Sequence, residues 1–134
     1  MIRRIVYKEK EFCFNGRRGN GLKRFVLEVV AQYVSKHPEI TFNELKNVFP
    51  DALQNNREHK KESKPRLGVF AKITAVRDEK RYFIESEVVL KDCTIVVCTE
   101  WGQLTKTGHE NLLSFVKYAQ DRLKLDLEIT YDDD

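Results

Sequence analysis

Pro50-Asp51 followed by Glu58-His59-Lys60 presents two carboxylates and a lysine in the order used by metal-dependent phosphodiester cleavage. In that chemistry the carboxylates converge on Mg²⁺ and the lysine sits beside the attacking water. The carboxylates normally come from adjacent strands, whereas Asp51 follows a helix stop and Glu58 falls in a hydrophilic stretch. A metal-dependent nuclease is therefore the third of three functional readings. A zinc site needs convergent ligands, yet Cys93 and Cys98 lie in a strand-like run at an odd spacing that points them to opposite faces, and no second pair accompanies them. No local motif joins Cys13, Cys93 or Cys98 to His37, His59 or His109 as nucleophile and base. Gly16-x2-Gly19-x-Gly21 lacks the Lys-Ser/Thr of a phosphate-cradling loop and reads as a turn. The sequence thus assigns no catalytic residue, no metal and no cofactor.

Charge is the stronger signal. Residues 1–109 hold 21 Lys/Arg against 14 Asp/Glu, while residues 110–134 hold 3 against 7. A basic surplus over most of a small chain suits a polyanion, because each phosphate neutralised releases a condensed counterion. Two clusters concentrate it: Arg17-Arg18 with Lys23-Arg24, and Arg57, Lys60, Lys61, Lys64 and Arg66, which face only Glu58 and Glu62 in the polar stretch from Gln54 to Arg66. The bland alternative is a solvated surface, since 34% of the residues are charged.

These clusters need a scaffold, and 134 residues with 41% hydrophobic content fit one domain. No apolar run approaches the roughly 20 residues of a membrane span, and Met1 to Glu11 contains no leader-like segment, so the expected location is cytoplasmic without membrane contact. The three cysteines lie beside apolar residues and are expected to be buried thiols. Ile2 to Tyr7 and Glu11 to Phe14 read as strands. Leu22, Phe25, Val26, Val29, Val30, Tyr33 and Val34 recur at helical spacing until His37-Pro38. Thr41 with Glu44 forms a capping box for a helix carrying Phe42, Leu45, Val48 and Phe49, which Pro50 stops. Asp51 to Gln54 can begin a further helical turn. Strands are expected within Leu67–Val76, Arg81–Glu85, Val88–Leu90 and Thr94–Thr99, the last central because it is apolar on both faces. Asn111 to Leu123 returns to helical spacing, Leu125 to Ile129 alternates as a closing strand, and residues 131–134 form an acidic tail. Trp101 and Tyr82 are expected in the core or at a sheet edge rather than stacked on a base.

The long apolar-faced helix, the Pro38-Glu39-Ile40-Thr41 turn, the capped helix Thr41-Phe42-Asn43-Glu44-Leu45 and the later β-segments with Arg81-Tyr82-Phe83 together resemble a winged helix-turn-helix over residues 22–98. The resemblance implies that the segment after the capped helix reads a groove and that the hairpin contacts the backbone. Asn55-Asn56 and Pro65 interrupt that segment, so phosphate contact rather than base reading is expected. Ile40 to Leu45, Phe49-Pro50, Leu53-Gln54, Arg81 to Phe83 and Trp101-Gly102 also look like small modules accompanying bacterial restriction and phage-defence proteins. The combined expectation is an α+β domain, with two or three helices packed on a small, mostly antiparallel, winged-helix-like sheet. Its expected role is non-catalytic nucleic-acid binding, of DNA rather than RNA. The contacts would come from Arg17, Arg18, Lys23, Arg24, Arg57, Lys60, Lys61, Lys64, Arg66 and Arg81. The alternative is a protein-interaction module that docks a partner or a second copy.

Overall fold

Ile2–Tyr7 (β1) and Lys10–Cys13 (β2) pair as a hairpin in a computed structural model that describes residues 1–14, 16, 21–54, 67–103 and 111–132. Helix α1 (Lys23–Lys36) and helix α2 (Phe42–Val48) follow, then a 3-10 turn at Asp51–Leu53. Strands β3 (Phe70–Lys72), β4 (Val88–Val89) and β5 (Thr94–Val97) come next, before helix α3 (Asn111–Asp121) and strand β6 (Glu128–Tyr131). The architecture is α+β: three helices and two antiparallel three-stranded sheets, ordered β2-β1-β6 and β3-β5-β4, among the described residues. None of the described helices is long and apolar enough to cross a membrane.

The helices form where the apolar spacing places them. Phe25, Val26, Val29, Val30 and Val34 of α1 are buried, so packing holds a helix whose β-branched valines favour it weakly. His37 closes it by donating its backbone N–H to the carbonyls of Tyr33 and Val34. At α2 the Thr41 side chain accepts from the Glu44 N–H while the Glu44 carboxylate accepts from the Thr41 N–H at 3.0 Å, the reciprocal cap its sequence predicts.

One apolar cluster draws on both sheets and all three helices. Phe115 of α3 is its junction. Its ring stacks on Phe49 at 6.1 Å and meets Phe25 and Trp101 edge-on at 6.1 and 5.2 Å. Phe25 in turn meets Tyr7 and Phe12 edge-on, which ties the first sheet to the helices. β5 is central, as its sequence requires: Ile95, Val96, Val97 and Cys98 are all fully buried.

Several expectations need correction. A single sheet was expected, but β6 returns to β1 (Ile5 opposite Ile129) and builds a separate sheet from the two ends of the chain. Tyr131 and Asp132 consequently belong to that edge rather than to a solvated tail: Asp132 N–H donates to the Met1 carbonyl at 2.9 Å and its carboxylate pairs with Arg3 at 3.2 Å. Arg81–Glu85 is not a strand. Asp78 accepts from the Lys80 N–H and fixes a 3-10 turn at Glu79–Arg81, leaving one bridge between Tyr82 and Cys98. The alternation of Leu67–Val76 yields only Phe70–Lys72, which pairs with Ile95–Val97 of β5, and Ile73–Ala75 coil into a 3-10 turn. Cys98 is buried, whereas Cys13 and Cys93 are half-buried.

Lys124 adopts a left-handed φ of 57° just past α3, which lets the Leu125 N–H return to the Ala119 carbonyl at 3.0 Å. Lys124→Gly should raise stability by about 1 kcal/mol, because glycine takes this conformation without steric strain. Phe115→Ala should lower it by about 3–5 kcal/mol through loss of the ring junction. Urea midpoints of the two variants against the parent chain check both values.

Candidate nucleic-acid interface

The described cations predicted to contact phosphate lie around one corner of the molecule, where β5 runs out into Cys98–Gln103. The backbone leaves its ladder there, and its polar groups need other partners. The Glu100 carbonyl accepts from the side-chain amides of Gln54 and Asn111, both at 2.9 Å. The Asn111 amide also donates to the Gln54 carbonyl at 3.1 Å, and its oxygen accepts from the Gly102 N–H at 2.9 Å. Trp101 is buried and donates its indole N–H to the Cys98 carbonyl at 2.8 Å. Gln103 exchanges two hydrogen bonds with the backbone of Ile2, at 2.6 and 3.0 Å, joining the corner to β1. No described buried side-chain nitrogen or oxygen lacks a partner.

The predicted contact residues fall into two groups. Arg17, Arg18, Arg57, Lys60, Lys61, Lys64 and Arg66 lie outside the described residues, as does Glu58. Lys23, Arg24 and Arg81 are described. Arg81 clamps the Glu100 carboxylate with two bonds, Nε to Oε1 at 2.9 Å and the terminal guanidinium to Oε2 at 3.2 Å, which raises the Arg81 pKa further. Arg24 pairs with Glu85 at 3.0 Å and lies 5.0 Å from the Phe83 ring centroid. Lys23 is exposed and makes no ion pair with a described residue. Two of these three cations are thus held by carboxylates of their own chain, and one is open.

Cys98 lies among these groups. Its thiol pKa is pushed up to about 12, chiefly by burial, with the charges of Arg81 and Lys23 opposing that rise only partly. Tyr82, half-buried beside it, has its phenol raised by burial first and by the neighbouring Cys98 next. A thiol that keeps its proton this firmly is no nucleophile. Asp51 serves the fold: its carboxylate takes the Lys46 ammonium at 2.5 Å, and Lys46 also donates to the Phe70 carbonyl at 3.2 Å and lies over the Phe70 ring at 4.7 Å. A Cβ at Gly68 would require the Asp51 carboxylate and the Lys46 ammonium to shift. No group of three His, Cys, Asp or Glu side chains able to hold a metal occurs among the described residues.

Gln54, Glu100 and Asn111 carry no chemical motif, and their spacing of 46 and 11 residues hides their meeting from the sequence. The one cue is the polar Asn111 at the start of an apolar-faced helix.

Alkylation of the native protein near neutral pH should modify Cys13 and Cys93 first, with Cys98 reacting only at the rate of global unfolding. Because folding raises the Cys98 pKa from 9.0 to about 12, its contribution to stability is complete below pH 9 and declines through the alkaline range up to about 12. Cys98→Ser should flatten that part of a stability-against-pH curve. No family model, curated protein or solved structure matches the chain.

Proposed function

We propose that the chain is a non-catalytic nucleic-acid-binding domain that holds the phosphate backbone, of DNA in preference to RNA, through Lys23, Arg24, Arg81 and the basic residues at 17–18 and 57–66. The carrying observation is the start of α1. Its first turn contains Lys23 and Arg24, no acidic residue and no side-chain cap. Cations at the positive end of a helix dipole are unfavourable in isolation, and an anion at that end reverses the sign of the interaction.

Further support comes from the placement of the residues next to both basic segments. Lys23, close after Arg17-Arg18, acts electrostatically on Cys98, and Gln54, immediately before residues 55–66, lies 3.7 Å from the same sulfur. Lys23 and Gln54, the described residues that neighbour these segments in sequence, therefore adjoin one corner. In the winged-helix form of this proposal, β4 and β5 serve as the wing. Asp92 in their connection accepts from the Phe42 N–H at 3.0 Å and fixes that hairpin against α2. The alternative of a protein-interaction module draws on Val89, 68% exposed on the edge strand β4, and on the internal pairing of Arg24 and Arg81.

Anisotropy of labelled duplex DNA, single-stranded DNA and RNA at several salt concentrations tests the proposal. Binding should weaken with salt at a log–log slope of about −0.9 per duplex phosphate engaged. Replacing Lys23, Lys60, Lys61 and Lys64 by Gln should reduce affinity on every sequence and flatten the slope, leaving the melting temperature within a few degrees. Absence of binding even at low salt would transfer the function to the protein-docking alternative.

A further inference from the structure

β6 is an outer strand of the first sheet, and its backbone is committed on one side only. The Asp132 N–H donates to the Met1 carbonyl at 2.9 Å. Antiparallel pairing alternates the direction of successive residues, so Thr130 and Glu128 also turn their backbone groups toward β1. Ile129 and Tyr131 turn theirs outward, where no described strand meets them. The opposite edge differs: Lys10 of β2 pairs with Glu28 of α1 at 3.0 Å, and Cys13 already bridges Gly21. An open row of N–H and C=O groups is a template for a further strand.

The two faces of this edge have different chemistry. Ile129 stands opposite Ile5 and Tyr131 opposite Ile2, both fully buried, so the two side chains share the core-facing side of the sheet. Ile129 is half-buried there and Tyr131 is 56% exposed. Glu128 and Thr130 share the other side with Arg4. The Glu128 side chain is 74% exposed and lies 3.6 Å from Arg4, whose nearer carboxylate is Glu11 at 3.2 Å. Asp126, also exposed, makes no ion pair with a described residue. Residues 125–134 hold five Asp/Glu and no Lys/Arg.

We propose that the outer edge of β6 binds an extended, basic segment of a partner protein by strand addition. The backbone of that segment pairs with the outward N–H and C=O groups of Ile129 and Tyr131, its apolar side chains continue the Ile129 and Tyr131 face, and its cations stand opposite Glu128 and Asp132. The recognised pattern is therefore cation, apolar, any residue, apolar, cation. A second copy of the chain fits poorly. The register that sets Ile129 of one β6 opposite Tyr131 of another also sets Glu128 opposite Asp132, carboxylate against carboxylate. The edge uses none of the cations assigned to phosphate and stands apart from the nucleic-acid reading.

The full chain is titrated with the capped peptides Lys-Val-Thr-Val-Lys and Asp-Val-Thr-Val-Asp, following backbone amide resonances and hydrogen exchange. The lysine peptide should shift the Ile129 and Tyr131 amides saturably and slow their exchange, with affinity falling as salt rises. The aspartate peptide should bind about tenfold more weakly or not at all. Glu128→Gln should weaken the lysine peptide about threefold and reduce its salt dependence. Tyr131→Pro removes an outward donor and leaves the β1 pairing intact, so binding should be lost while the melting temperature stays within a few degrees. Tyr131→Val keeps the donor and should keep binding. Shifts absent from Ile129 and Tyr131, equal binding of the two peptides, or binding undiminished by Tyr131→Pro overturn the proposal. Shifts of the same amides on raising the protein concentration alone assign the edge to a second copy, and overturn it as well.

Discussion

The backbone carbonyl of Glu100 must find donors where β5 stops pairing, and it finds two, the side-chain amides of Gln54 and Asn111. A buried carbonyl left unpaired is destabilising by about 1–3 kcal/mol. The amides satisfy it and at the same time fix the end of the 3-10 turn after α2, the exit of β5 and the first residue of α3. Phe115, Val116 and Ala119 reach the core because α3 starts at that point. Phe115 in turn brings the rings of Phe25, Phe49 and Trp101 together. A buried polar knot and an aromatic junction are two ends of the same constraint.

Electrostatics divide the cations by what they face. Arg4 bridges Glu11 and Glu128 across the outer strands of the first sheet, Lys46 is enclosed by Asp51 and two rings, and Arg81 is clamped by Glu100. Each of these charges is paired within the chain. Lys23 and Lys36, exposed at the two ends of α1, lack such carboxylate pairing among the described residues.

The sequence made the helices legible because helical burial repeats locally. The apolar spacing of α1, the Thr41–Glu44 box and the stripe of α3 each lie within a few turns, and each element was found. The doubly apolar run at Ile95–Cys98 likewise marked the central strand. Strand partnership was not legible. Arg81–Glu85 has strand composition but lost to the Asp78 cap, and β6 chose β1 over the nearer strands. Of the predicted contact residues, the structure describes Lys23, Arg24 and Arg81, and it reveals Glu85 and Glu100 as partners of the last two.

What the sequence determined by itself is therefore the class of the domain, its helices and the excess of positive charge ahead of residue 110. Tertiary structure decided which of those charges are paired, that the strands divide into two sheets, and that Lys8 meets Gln32 across 24 residues of sequence. The physical reason is range. Hydrophobic periodicity and capping act between residues three or four apart, whereas ion pairs, strand partners and buried hydrogen bonds depend on distances that only the folded chain sets.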